Sequence, residues 1–90
     1  MGKNPHRSAR TAIITGGGQG IGKAIARTFL HNGIRDMVGD IDEEAGRETV
    51  SEFASLGEID FTHADVSAEE SVRRLVDRAA SRFASIDILV

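Results

Sequence analysis

The segment Thr15-Gly16-Gly17-Gly18-Gln19-Gly20-Ile21-Gly22 places five glycines in seven residues, and no other stretch limits the folds open to this chain as strongly. Before it runs Thr11-Ala12-Ile13-Ile14-Thr15, apolar and partly β-branched, as a buried parallel strand requires. After it, Ile21, Ala24, Ile25 and Phe29 recur at helical spacing until Asn32-Gly33 supplies a stop. A glycine loop joining a strand to the start of a helix offers backbone amides and the positive end of a helix dipole to a bound pyrophosphate. Glycine suits it because a side chain would hold the phosphates away, and a last glycine lets helix and strand approach closely. The spacing is G-x-x-x-G-x-G, at Gly16, Gly20 and Gly22; no triplet here fits G-x-G-x-x-G.

Gly17, Gly22 and Lys23 also reproduce the G-x-x-x-x-G-K of a P-loop. That loop needs a Ser or Thr hydroxyl next to hold magnesium, and Ala24 stands there instead. Nucleotide hydrolysis is therefore set aside, and Lys23 is expected to be an exposed first-turn residue.

Downstream the pattern alternates. Met37-Val38-Gly39, after Arg35-Asp36, is a short apolar run between two helical patterns and is expected to be a second strand ending at Asp40. Asp42 caps a second helix, with Glu43 and Glu44 favourable against its N-terminal dipole and Ala45, Thr49, Phe53 and Leu56 on one face; Gly57 ends it. Ile59 to Ala64 alternates as an edge strand would, before Asp65-Val66. Ser67-Ala68-Glu69-Glu70 predicts a capping box that starts a third helix, whose buried face is Val72, Leu75, Val76, Ala79 and Phe83. Ile86 to Val90 reads as a fourth strand. The order βαβαβαβ implies an α/β fold with a parallel sheet. Right-handed crossovers put the first two helices on one face and the third on the other. A fourth strand returning beside the first gives the order 3-2-1-4, a Rossmann-type half domain whose ligand crevice opens between strands 1 and 4 at their carboxyl ends.

Asp40 follows Gly22 by 18 residues, near the roughly 20 expected of the acid that accepts a hydrogen bond from an adenosine ribose. A carboxylate there welcomes a 2′-hydroxyl and repels a 2′-phosphate, which favours NAD over NADP. Asp65-Val66 ends the third strand beside the same crevice, where a carboxylate and a backbone amide can face an adenine edge.

Composition narrows the remaining classes. The chain has no Cys, so disulfides, thiolate metal sites and Cys nucleophiles are absent, which fits a reducing compartment and a cytoplasmic location. His6, His31 and His63 lack metal-ligand spacing, and no metal is expected. No apolar run is long enough to span a membrane. Lys3, Arg7 and Arg10 lie in a first ten residues without an acid, so residues 1–10 form a basic arm before an acidic body of charge −6. Three cations with no aromatic nearby read as a solvated terminus, and no nucleic-acid partner is expected.

With these residues in view, the stretch from about Thr11 to Val90 resembles a short-chain dehydrogenase/reductase. Thr15 to Gly22 matches that family's Thr-Gly-x-x-x-Gly-x-Gly motif without a departure, and Asp87-Ile88-Leu89-Val90 closes the resemblance. It implies that residues 11–90 are the N-terminal part of a dinucleotide-binding Rossmann domain and that the cofactor is NAD. The cofactor-binding residues it implies are Gly16, Gly18, Gln19, Gly20, Ile21, Gly22, Asp40, Ile41, Asp65 and Val66. NADP-preferring members often place Arg where this chain has Gln19, which again favours NAD. The family pattern continues with Asn-Asn-Ala-Gly, a catalytic Ser and Tyr-x-x-x-Lys. This chain contains no Tyr, and its only lysines are Lys3 and Lys23, so no catalytic residue is assigned to it. The expectation is the NAD-binding portion of an oxidoreductase of alcohols or carbonyls, inactive alone and prone to self-association through an uncovered strand edge. The alternative is a non-catalytic nucleotide-binding or interaction module.

Overall fold

The alternation of β1 (Thr11–Thr15) sorts the core into two layers. Ala12 and Ile14 pack on one side of the sheet with Val38, Ala26, Leu30, Phe53 and Ile59, while Ile13 packs on the other with Met37, Ala64, Leu75, Ala79 and Phe83. The structure, a computed structural model, describes residues 10–83 and 85–90. Of the basic arm expected over residues 1–10, only Arg10 lies within the described residues.

The remaining elements are α1 (Gly20–His31), β2 (Arg35–Asp40), α2 (Glu43–Phe53), β3 (Ile59–His63), α3 (Glu69–Phe83) and β4 (Ile88–Leu89). The four strands form one parallel sheet in the order β3-β2-β1-β4, as expected. Helices α1 and α2 supply the first core layer and α3 the second, which is the arrangement right-handed crossovers dictate. This is the Rossmann-type fold.

Several local expectations are corrected. On α1 the buried residues are Ala26 and Leu30, whereas Ile21 is 81% exposed and Ala24 is exposed, because Ile21 sits at the free N-terminus above the sheet's end. On α3, Ser71 joins Leu75, Ala79 and Phe83 in the core, and Val76 faces outward. Helix α2 stops at Phe53, four residues before Gly57, and Leu56 packs from the turn that follows. The capping box does not form. Asp65 Oδ1 captures both the Ser67 hydroxyl (2.6 Å) and the Ser67 amide (3.0 Å), so residues 65–68 make a turn and α3 begins at Glu69. The fourth strand is limited to Ile88–Leu89, although Asp87 already engages β1: its Oδ2 accepts from the Thr11 amide and its amide donates to the Thr11 carbonyl, both at 2.9 Å.

Two ionisable side chains sit at the amino end of β2 on opposite faces, Arg35 half-buried and Asp36 buried. Arg35 donates from Nη2 to the Phe83 carbonyl at 3.0 Å and lies over the Phe83 ring, fastening the end of α3 to the sheet. Asp36 is fully buried, and neither of its carboxyl oxygens has a hydrogen-bond partner among the described residues. Burial raises its pKa to about 7.

Candidate dinucleotide site

At the carboxyl end of β1 the chain turns through Gly16 and enters α1 at Gly20, both with positive φ (68° and 63°), a region that L side chains rarely adopt. Gln19 is the N-cap of α1, extended at φ −159°, and its side chain makes no capping bond. No acid occupies the first turn. Among the described residues the amides of Gly20, Ile21 and Gly22 have no partner; the first helical bond is Lys23 N–H to the Gln19 carbonyl at 3.3 Å. The open helix end therefore presents uncapped donors and a positive dipole, the pair of features that favours phosphate. Gly22 permits a close approach: a Cβ there would collide with the Gly16 carbonyl and sit 3.0 Å from Gly17 Cα.

Lys23 is not the exposed residue expected but half-buried. Its Nζ pairs with Glu52 on α2 at 2.8 Å and lies 5.7 Å from the centre of the Phe53 ring, so it ties α1 to α2.

The loop is held from below by β2 and α2. The Gly18 amide donates to Asp40 Oδ2 at 2.9 Å, and Thr49 Oγ1 donates to the Gly18 carbonyl at the same distance. Asp40 is 7% exposed, and its Oδ1 accepts from the Asp42 amide at 3.0 Å. Each carboxylate oxygen thus keeps a second lone pair for a ligand hydroxyl. Asp42 caps α2 as expected, accepting from the Ala45 amide at 3.0 Å. Thr49 was legible only as a residue on the buried face of its helix. A hydroxyl on an otherwise apolar face was the one available sign that it also anchors the loop.

Thr15, Gly16, Gly39, Asp40, Ile41, Ala64, Asp65 and Val66 line one groove of about 280 Å³ across the carboxyl ends of β1, β2 and β3. It lies on the β2 side of the switch point. Between β1 and β4 the sheet is closed by Val90, whose carbonyl accepts from the Thr15 amide (3.0 Å) and the Thr15 hydroxyl (2.9 Å). Ile41 and Val66 are 62% and 61% exposed, and with Ile21 they put three large apolar side chains around the loop and groove. Exposed apolar residues concentrated at a concave polar site mark a place where a ligand supplies the missing cover. The Asp65 carboxyl is held below the usual carboxylate range by its hydrogen bonds from the Ser67 hydroxyl and amide. The Asp65 amide is spent on Ser71 Oγ at 2.9 Å, whereas the Val66 amide has no partner among the described residues. The structure thus brings together Gly16, Gly18, Asp40, Ile41, Asp65 and Val66, and sets Gln19, Gly20, Ile21 and Gly22 at the adjoining helix end.

The profile of the short chain dehydrogenases matches residues 10–90. The chain is 41% identical over 88 residues to 3beta-hydroxysteroid dehydrogenase 2 of Eggerthella lenta, covering 97% of this chain and 34% of that protein. Among solved structures it is similar to a short chain dehydrogenase/reductase from Burkholderia phymatum in complex with NAD, with TM-score 0.88 and 32% identity over 91% of this chain and 30% of that one. It is also similar to the RhlG/NADP complex of Pseudomonas aeruginosa, with TM-score 0.82 and 35% identity over 91% of this chain and 33% of that one. The chain spans about a third of the length of the proteins it matches. No helix among the described residues is long and apolar enough to cross a membrane.

Proposed function

Because this chain belongs to the short chain dehydrogenase family, we propose that its glycine loop, Asp40 and the 65–66 turn hold the ADP portion of NAD. The pyrophosphate lies on the free amides of Gly20, Ile21 and Gly22, the adenosine ribose bonds Asp40, and the adenine rests between Ile41 and Val66 within reach of Asp65 and the Val66 amide. The observation that carries this reading is the Asp40 carboxylate, fixed by the Gly18 amide at 2.9 Å on the floor of the groove. It also supports NAD over NADP, since none of the groove's lining residues is cationic and a 2′-phosphate would meet a carboxylate.

In the whole protein the bound dinucleotide supplies hydride chemistry toward an alcohol or carbonyl. The residues of this chain bind and orient it, and with no Tyr among them they are not expected to turn over a substrate alone. Among the described residues no strand pairs with the outer edge of β4, which supports self-association of a polypeptide of these ninety residues. Titration calorimetry with NAD, NADP and ADP-ribose tests the assignment. NAD and ADP-ribose should bind alike, and NADP about tenfold or more weakly, as like-charge juxtaposition requires. Equal binding of NAD and NADP would remove Asp40 from this role.

A further inference from the structure

A second groove, of about 530 Å³, wraps the edge of the sheet where β3 has no neighbouring strand among the described residues. It is lined by Glu43 and Arg47 of α2, by Asp60, Phe61, Thr62 and His63 of β3, and by Arg74 and Arg78 of α3. Its acids are already matched: Glu43 pairs with Arg47 at 2.8 Å, and Asp60 pairs with Arg82 at 3.5 Å. Arg74 and Arg78 are exposed and have no ion-pair or hydrogen-bond partner among the described residues. The groove therefore carries an uncompensated positive charge on its α3 side.

The same edge offers unpaired main chain. The Asp36 amide donates to the Glu58 carbonyl and the Ala64 amide donates to the Asp40 carbonyl, so the even-numbered residues of this segment face β2. The alternation of a parallel ladder then turns the main-chain groups of Ile59, Phe61 and His63 outward. The Phe61 amide is covered by Asp60 Oδ1 at 2.8 Å, which leaves the Ile59 and His63 amides open among the described residues. Open edges of this kind accept an added strand.

We propose that the outer edge of β3, framed by Arg74 and Arg78, takes an extended acidic segment of a partner protein as an added strand. The spacing fits. Arg74 and Arg78 are four residues apart on a helix, about 6 Å along its axis, and alternate side chains of an extended segment are about 6.6 Å apart. Acids at positions i and i+2 of the incoming strand meet the two guanidinium groups, and the residue between them turns toward Phe61. Nothing in this proposal depends on the dinucleotide reading, because it uses the outer edge of β3 rather than the groove at the strands' carboxyl ends.

The test is fluorescence anisotropy of the chain with a dye-labelled, end-blocked peptide of alternating Glu and Val. Binding is expected, weakening as salt rises. The Lys-for-Glu peptide should not bind, and N-methylation of alternate peptide amides should abolish binding by blocking the ladder. Arg74→Glu with Arg78→Glu should lower affinity about tenfold or more, with an unchanged circular dichroism spectrum because both side chains are exposed. The peptide arms read the edge without altering the protein. Undiminished binding by the N-methylated peptide, or full displacement of the peptide by inorganic pyrophosphate, would make this an anion site and overturn strand addition. Sedimentation showing the edge occupied by a second copy, released by the double substitution, would overturn the acidic partner.

Discussion

The Gly18 amide donates to Asp40 Oδ2 at 2.9 Å, so the carboxylate proposed to meet the ribose is also the support of the phosphate loop. The two roles are joined in one side chain. Removing it disturbs the loop even when no ligand is present.

Asp40→Ala should therefore lose stability as well as affinity. The Gly18 and Asp42 amides each lose a charged acceptor, and Gly18 is buried, which together cost roughly 2–4 kcal/mol in a denaturant titration. Calorimetry on the folded variant should show weaker NAD binding and less discrimination against NADP. A variant as stable as the parent would show that these two bonds contribute little.

Gly22→Val should couple folding and binding more tightly. The glycines at 16 and 20 are needed for their positive φ, but at 22 the constraint is space, since a Cβ would collide with the Gly16 carbonyl. Relieving that overlap moves the loop away from α1, at a cost of about 3 kcal/mol. Both the unfolding midpoint and NAD affinity should fall, and normal affinity in a folded Gly22→Val would dismiss the pyrophosphate assignment.

Asp36 gives the chain a pH-dependent stability of unusual sign. Its folded pKa is raised to about 7 from an ordinary value of 3.8. Between those values the folded state keeps a proton that the unfolded chain has released, so stability declines as pH rises and levels off above about 7. Asp36→Val removes the titrating group while keeping a strand-forming side chain. Its stabilising effect should be larger at pH 8 than at pH 5 by roughly 2–3 kcal/mol, measured by urea unfolding at both values. An identical effect at the two pH values would mean that Asp36 is hydrated in solution.

Association should run through β4. Among the described residues no strand pairs with its outer edge, and its Leu89 is 71% exposed. Light scattering of the ninety-residue chain should show dimers or larger species, and Leu89→Lys should shift them toward monomer by placing a charge on the open edge. A monodisperse parent chain would sink this expectation.

The strands, the glycine loop and the placement of Asp40, Asp65 and Val66 at strand ends were legible because each depends on local pattern, and the strand order followed from the handedness of the crossovers. What escaped depends on neighbours far along the chain. Ile21 looked like part of a buried stripe, yet the helix enters above the end of the sheet and leaves it 81% exposed. Ser67 looked like a cap, but Asp65 competes for its hydroxyl at 2.6 Å and wins because the two lie in one turn. Gly46 drew no notice in the sequence, although a Cβ there would collide with the Phe61 ring, so it is what lets α2 lie against β3. Thr49 was correctly placed in the core, but its bond to the Gly18 carbonyl spans 31 residues and has no local signature.

The bonds from Thr15 to Val90 also set the order in which this fold can be completed. They join positions 75 residues apart, and they close the flank of β1 that faces β4. Until Ile88 to Val90 have been made, β1 can pair only with β2, and its other side stays open. Closing so long a loop is slow compared with forming any of the three helices. Until residues 88–90 emerge, the nascent segment therefore carries a half-paired central strand, and in that interval it is open to misassembly.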